Sequence, residues 1–418
     1  MSAANMAPEL QKVFGQAASL PFNNYSQQVF TKLHHCHTAA IGMHTYKCND
    51  ANCKHLHHQY HSCGNRHCPN CGGLKKEQWV EDLTADLLPT AYYHVVFTLP
   101  HELHPIILGN RKELFKLLFD SASKTLLQFA GDPKYLSARC SITAILHTWG
   151  QQLSFHPHLH CIVSGGGVDA GGKWVEAKRK NDKFLFPVKA MQIVYKAIFL
   201  KGLRLLISKN KLQLTGIDIQ KIINEAGFKK WNVYAKRPFG NVASVVEYLG
   251  RYTHKIAITS HRITGISEGN VNFKYKDYAD GNKQKEMALS IPEFLRRFEL
   301  HILPKRFVKI RHYGLLQNHG KIKRLNAIRT QLSIGALPPK VQIPLSQRML
   351  EKYGKDITLC PKCNKGKLVW MCTSYAKNDS YIFTKNKGRG KENTATLNNK
   401  ASPYPNGRAS PNEKTELQ

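Results

Sequence analysis

Apolar residues crowd into short β-branched and aromatic runs and recur at helical spacing between them, and the two patterns together predict an α+β chain. From Tyr92 to Leu99 (YYHVVFTL) β-branched and aromatic residues crowd ahead of Pro100, which reads as a buried strand. Residues 111–129 carry Leu114, Leu117, Leu118, Ala122, Leu126 and Phe129 at helical spacing. Ser141–Trp149 (SITAILHTW) is a second strand, and a turn leads from it into HPHLHCIVSGGG at 156–167, where residues 158–163 form a third strand that Gly165, Gly166 and Gly167 are expected to end. Strand, helix and strand pair make the first half of a ferredoxin-like sheet, with the third strand near its centre.

The rest of the chain is read the same way. Residues 1–33 are a helical lead-in broken at Pro21, 169–187 a Gly- and Lys-rich loop or hairpin, 189–207 a helix, and Trp231–Ala235 a short strand. Val242, Val245, Val246 and Leu249 mark the buried side of a helix within 241–258. Ile263–Tyr278 reads as a hairpin around Glu268, Gly269 and Asn270, Pro292–Leu303 as an amphipathic helix, and 319–333 as a basic helix. From about Asp379 the chain turns to Asn, Lys, Gly, Ser and Pro, a composition expected to be disordered.

Chemistry enters through the third strand. Strand alternation puts His158 and His160 on one face, joined by His156 if the strand starts early. Neutral imidazoles held by a stiff backbone suit a divalent metal whose open positions take a substrate oxygen. A histidine-rich strand edge is the plain alternative in a chain with 21 histidines.

The cysteines point to a different metal. Cys36, Cys48, Cys53, Cys63, Cys68 and Cys71 account for six of the eleven. Cys48 and Cys53 (CNDANC) and Cys68 and Cys71 (CPNC) form two knuckles about 15 residues apart, the spacing of a tetrahedral structural zinc site. Cys63 with Cys36, His61 or His67 would complete a second site. Such a module would present Lys54, Arg66, Lys75 and Lys76 to DNA. Cys360 and Cys363 (CPKC) with Cys372 suggest a further knuckle that lacks a clear fourth ligand.

Length and charge narrow the class. A chain of 418 residues, 42% of them hydrophobic, has room for two or three cored domains. Lys plus Arg number 61 against 28 Asp plus Glu, a net charge of +33, and the cations spread along the whole length. That balance favours a polyanion such as nucleic acid. No apolar run approaches a membrane span of about 20 residues, and Met1–Gln11 lacks a signal-peptide core, so no membrane partner and a cytoplasmic, nucleoid-associated protein are expected. In that reducing compartment the cysteines are read as metal ligands rather than disulfides.

The helix around 241–258 (NVASVVEYLGRYTHKIAI) adds a nucleophile. Tyr248 and Tyr252 stand four apart on one face, with Arg251, His254 and Lys255 about them, cations that hold phosphate and ease phenolate formation. Further on, Lys305–Tyr313 (KRFVKIRHY) interleaves cations with Phe307 and Tyr313, a pattern suited to stacking single-stranded DNA bases.

HPHLHC, YLGRYTHKIAI, the CPNC knuckle within SCGNRHCPNC and FLRRFELHILPKRFVKIRHYG (294–314) occur in the order found in rolling-circle insertion-sequence transposases of the two-tyrosine HUH class, and residues 34–372 resemble the insertion sequence ninety-one family. The resemblance implies an α+β, HUH endonuclease-like (ferredoxin-like) antiparallel sheet with helices, preceded by a Cys-rich zinc-binding module. It implies that His158, Leu159 and His160 are the HUH motif and that Tyr248 and Tyr252 are the paired nucleophiles. The third metal ligand varies among HUH enzymes, and His156 and His147 are candidates here, with Gln151 behind them. Magnesium or manganese is the implied catalytic ion and zinc the structural one.

The expected activity is transposition: metal-dependent cleavage of single-stranded DNA at transposon ends and strand transfer through a 5′-phosphotyrosine, with host replication machinery extending the freed end. The chain would act as a monomer or a dimer. Arg251, Lys255, Arg262, Lys305, Arg306 and Arg311 are the candidate DNA-binding cations. The expected domains are a lead-in at 1–33, a zinc-binding DNA-recognition module at 34–80, the tyrosine nuclease at 90–315, a basic region at 316–373 and a disordered tail at 374–418. Two other classes compete: a zinc-finger DNA-binding protein without catalysis, and a metal-dependent hydrolase that uses water.

Overall fold

The computed structural model describes residues 3–71, 73–177, 185–236, 239, 244–246, 248, 250, 256–339, 343–377, 380–385 and 393–398. The chain divides into two compact units, Met1–Cys71 with Lys340–Gln418, and Gly72–Pro339. The first is therefore assembled from both ends of the chain. Of the zinc module expected at 34–80, residues 34–71 belong to the first unit, and the basic region expected at 316–373 is divided between the two.

The first unit opens with helices Ala3–Gly15 and Asn24–His34. The Asn23 side chain caps the second by accepting the Ser26 N–H at 2.9 Å, and Phe22 packs on Phe30 with ring centroids 5.1 Å apart. Its sheet has the order β14-β13-β12-β1-β2, where β1 is Met43–Cys48, β2 Leu56–Tyr60, β12 Leu368–Lys377, β13 Ser380–Lys385 and β14 Asn393–Asn398. β1 is flanked by strands from both chain ends: Met43 lies opposite Tyr60 on one side and Ser374 on the other. The expected tail is thus partly strand. Ser380–Lys385 (SYIFTK) and Asn393–Asn398 (NTATLN) carry β-branched and aromatic residues that pair as ladders. Residues 399–418 lie outside the described residues.

The second unit is built on an antiparallel sheet of order β11-β4-β5-β3-β7, with β6 pairing β5. Its strands are β3 Tyr92–Thr98, β4 Arg139–Trp149, β5 Phe155–Val168, β6 Trp174–Glu176, β7 Val233–Ala235 and β11 Ile310–Gly314. The histidine strand is central, as the sequence predicts. It runs on through Gly165–Gly167 instead of ending there, because the missing side chains make room: a Cβ on Gly167 would sit 2.7 Å from the Arg139 carbonyl oxygen, and one on Gly166 would collide with the Trp174 ring.

Alternation divides the two faces of this sheet. Leu159, Cys161 and Val163 join Tyr93, Val95 and Phe97 in the main core, against helices Arg111–Gly131 and Val188–Ser208. Ile162, Tyr92 and Ile145 point the other way, into a smaller core with Leu83, Val245, Leu315 and Leu325, against which Tyr248 packs. A separate hairpin sheet, β10-β9-β8, holds β8 Ile263–Ser267, β9 Asn270–Asp277 and β10 Lys283–Ser290, followed by the helix Ile291–Glu299. Among the described residues no helix is long and apolar enough to cross a membrane.

His301, which follows that last helix, is buried and fully bonded as a neutral ring. Its Nε2–H donates to the Leu153 carbonyl at 3.1 Å, and Nδ1 accepts from the Thr148 hydroxyl at 3.2 Å. Burial pulls its pKa down from 6.5 to about 4. Below pH 6.5 the unfolded chain takes up a proton that the folded unit refuses. The stability from His301 is therefore complete above pH 6.5 and is lost as pH falls towards 4, by about 1 kcal/mol per pH unit within that window. Urea unfolding at stepped pH should show this contribution within the summed slope of the buried histidines, and His301→Gln should lessen that slope by about 1 kcal/mol per pH unit. An unchanged slope would exclude His301 as a contributor.

Candidate metal and nucleophile site

Three histidines converge on the second face of the central sheet. His158 and His160 come from β5, and His147 comes from β4, directly opposite His158 in the ladder. One ring nitrogen of each lies within 4.8 Å of the others, and the Nε2 atoms of His158 and His160 are 3.1 Å apart. His147 replaces His156, the first-named sequence candidate, and the reason is geometric. Three histidines in a row at i, i+2 and i+4 span about 13 Å, too far to share one ion, whereas a cross-strand neighbour lies about 5 Å away. His156 is exposed and lies outside the cluster: its ring stands 5.1 Å from that of His158, and its backbone carbonyl accepts from His158 Nδ1 at 2.6 Å. That bond leaves His158 Nε2 as the lone-pair donor. Burial lowers the His158 pKa to about 4, so the ring is neutral and ready to bind a cation.

His94 is the site residue that sequence reading missed. It sits on β3 opposite Ile162, is 3% exposed, and stacks on His160 with interplanar angle 10°. Its Nε2 lies 2.9 Å from His160 Nδ1 and 2.7 Å from the Tyr248 hydroxyl. The signal was present: a histidine in the middle of the apolar run YYHVVFTL, on the same face by alternation. Burial, followed by the charges of Lys236 and His158, holds its pKa near 3. A neutral His94 that accepts from His160 Nδ1 would leave His160 Nε2 free for a metal, and the same ring stands within hydrogen-bond distance of the phenol. Replacing it with Ala should weaken metal binding by about 10- to 100-fold in a calorimetric titration, and Gln should recover part of the loss. Unchanged affinity in His94→Ala would show that His160 needs no such support.

Tyr248 also approaches His160 Nδ1 at 3.3 Å and packs on Phe239 with ring centroids 5.1 Å apart. Tyr252, Arg251, His254 and Lys255 lie outside the described residues. Three imidazoles without a carboxylate make a donor set that binds transition ions well and leaves open positions for oxygen ligands.

The remaining DNA-binding candidates separate. Lys305 and Arg306 are exposed. Arg262 is committed to structure, donating to the carbonyls of Lys274, Ala257 and Gln151 beside the Phe273 ring. Arg311 lies over Phe119 at 4.3 Å and Phe307 at 5.1 Å. Phe307 itself is buried against Phe115 and Phe119, and Tyr313 packs on the same core, so neither ring is a stacking platform for bases.

The cysteines form two groups of four: Cys36, Cys63, Cys68 and Cys71, and Cys48, Cys53, Cys360 and Cys363. The two N-terminal knuckles therefore do not share a site, which corrects the pairing expected from their spacing. In the first group Cys36 Sγ lies 3.3 Å from Cys71 Sγ and 3.6 Å from Cys68 Sγ, and the Cys63 N–H donates to Cys36 Sγ. Neither His61 nor His67 belongs to either group, and Cys372 is likewise outside both.

Residues 9–99 match a family model described as "Transposase zinc-binding domain", and residues 141–323 match one described as "Putative transposase". The chain is similar to "Putative transposase y4qJ" of Sinorhizobium fredii, with 37% identity over 88% of this chain and 95% of that protein. It is also similar to the transposase for insertion sequence element IS801 of Pseudomonas savastanoi pv. phaseolicola, with 32% identity over 70% of each. The conjugative relaxase TrwC, solved with oriT DNA and copper, aligns over 38% of this chain and 68% of its own at 12% identity, with a TM-score of 0.23. Kinship rests on the two curated relatives and the two matched domains: the chain belongs to the insertion sequence ninety-one family of rolling-circle transposases.

Proposed function

We propose that this transposase cuts and rejoins single-stranded DNA at the ends of its element through a covalent tyrosine intermediate. The observation that carries the reading is the Tyr248 hydroxyl, held 2.7 Å from His94 Nε2 and 3.3 Å from His160 Nδ1, which joins a nucleophile to the histidine cluster. A divalent ion, magnesium or manganese, bound by His147, His158 and His160 would polarise the phosphate as a Lewis acid. The other parts belong to the chain. Tyr248 or Tyr252 gives up its phenolic proton to solvent and forms an Oη–P bond while the P–O3′ bond breaks. The departing 3′-oxygen takes up a proton from solvent, and the 5′-phosphate stays on the tyrosine. His94, neutral and buried, holds the Tyr248 hydroxyl at Nε2. Because the phosphotyrosine retains the energy of the phosphodiester, a second 3′-hydroxyl can attack it and release the phenol without ATP. A second tyrosine lets another strand be captured before the first is released, and the freed 3′-end is available to host replication machinery in the cytoplasm. Lys305 and Arg306, both exposed, are available to the DNA backbone.

The test is incubation of the full chain with a labelled single-stranded oligonucleotide spanning the element's end, with magnesium or manganese, followed by a denaturing gel and peptide mapping. The expected result is a covalent adduct on Tyr248 or Tyr252. Cleavage without any adduct would make water the nucleophile, and binding without cleavage under either ion would leave a DNA-binding protein.

A further inference from the structure

We infer that Cys48, Cys53, Cys360 and Cys363 form a second tetrathiolate zinc site, one that clasps the C-terminal knuckle onto the N-terminal strand pair. The family match to the zinc-binding domain ends at residue 99 and the other ends at residue 323, so neither reaches Cys360 or Cys363. The geometry is that of a zinc site. All four sulfurs lie within 4.8 Å of one another, with Cys48–Cys363 at 3.7 Å and Cys53–Cys360 at 3.8 Å. A tetrahedron with Zn–S bonds of about 2.3 Å has edges of about 3.8 Å.

Each half of the site is shaped before the halves meet. In the first, the Asp50 carboxylate accepts the N–H groups of Asn52 at 2.9 Å and Cys53 at 3.1 Å, bending CNDANC back on itself. In the second, Asn364 at φ +52° returns the chain so that its N–H donates to the Cys360 carbonyl at 2.9 Å. Gly366 then donates to Cys363 Sγ at 3.3 Å. The two turns also lock to each other. The Lys367 N–H donates to Asn49 Oδ1 at 2.7 Å, and the Asn49 N–H donates to the Lys367 carbonyl at 3.0 Å. Gly366 has no room for a side chain, since a Cβ there would lie 2.5 Å from Cys48 Sγ and 2.9 Å from the Asp50 nitrogen.

Cys372 sits on β12 opposite Thr45, four residues along the strand from the partner of Cys48, and stays out of the cluster. Four cysteines without a carboxylate or imidazole select zinc over the harder ions expected at the histidines. Binding converts four thiols to thiolates and releases up to four protons to solvent. The clasp joins positions 307 residues apart in the sequence, with the whole nuclease unit between them.

The test counts zinc freed from the full chain by a mercurial reagent, which displaces only thiolate-bound metal, after the histidine site has been cleared with chelator. Wild type should release two zinc ions per chain. Cys360→Ser/Cys363→Ser and Cys48→Ser/Cys53→Ser should each release one, and the variant carrying all four changes should also release one. A wild-type count of one, or a four-fold variant that releases none, would overturn the site, and iron in place of zinc would overturn the choice of ion. Because such variants can misfold, a second measurement uses wild type alone: alkylation of each cysteine followed by mass spectrometry. Cys48, Cys53, Cys360 and Cys363 should be modified in one kinetic phase, in step with release of one zinc ion. Modification of Cys48 and Cys53 in the phase of Cys68 and Cys71 would refute the clasp.

Discussion

A chain carrying both Tyr248→Phe and Tyr252→Phe is expected to lose single-strand cleavage and covalent adduct by at least about 10⁴-fold, the scale on which removing a nucleophile acts. Affinity for the same oligonucleotide should stay within about twofold. The separation is possible because the phenol ring and its hydroxyl do different jobs. The Tyr248 ring packs on Phe239 and the smaller core, and Phe keeps that packing. The lost hydroxyl removes its bond to His94, worth about 1 kcal/mol to the fold. Lys305 and Arg306, the exposed cations proposed to hold the DNA backbone, keep their charge in this variant. Cleavage retained within tenfold of wild type would end the tyrosine mechanism, and lost DNA binding would show that the tyrosines bind strand rather than attack it.

His147→Gln is expected to weaken manganese binding by more than about 100-fold and to lower cleavage in proportion, whereas His156→Gln should leave both within about threefold. The two variants separate two geometries for one site. His147 is buried, lies opposite His158, and has its ring centroid 4.5 Å from that of His160. His156 is exposed and outside the cluster. Manganese titration read by magnetic resonance would compare them directly. An equal loss in both would return His156 to the ligand set and mean that β5 bends to converge on the ion.

The sequence made the central sheet legible because apolar, β-branched and aromatic residues crowd into YYHVVFTL and SITAILHTW, which the structure buries almost throughout. The alternation of side chains along a strand put His158 and His160 on one face. It could not supply His147 as against His156, since the choice depends on which residue of β4 lies opposite, and register is a tertiary fact. His94 was hidden for a related reason: inside an apolar strand it passes for core until its neighbours are known. The cysteine pairing failed on distance along the chain. Cys48 and Cys53 look towards Cys68 and Cys71 because those are the nearest thiols in sequence, but their partners lie some 300 residues on. β1 and β2, rich in histidine and lysine, carried too little apolar alternation to be read as strands at all. Phe307 and Tyr313 were misread because a cationic neighbourhood masked the strand and turn that fold their rings inward.

The place of β1 between β2 and β12 also sets an order of events during synthesis. Cys36, Cys63, Cys68 and Cys71 have all emerged by residue 71, so the first thiol cluster and the β1–β2 pair can close early. The other edge of β1 waits for Leu368–Lys377. At about 5 to 20 residues per second a ribosome needs roughly 15 to 60 s to cover that interval. Throughout it the nascent chain carries an unpaired strand edge, guarded by the charge of Lys47 and the polar ring of His44. A neighbouring nascent copy that offers its own edge in that interval competes with β12 for the same backbone groups, so crowding of ribosomes on one message works against folding of this chain.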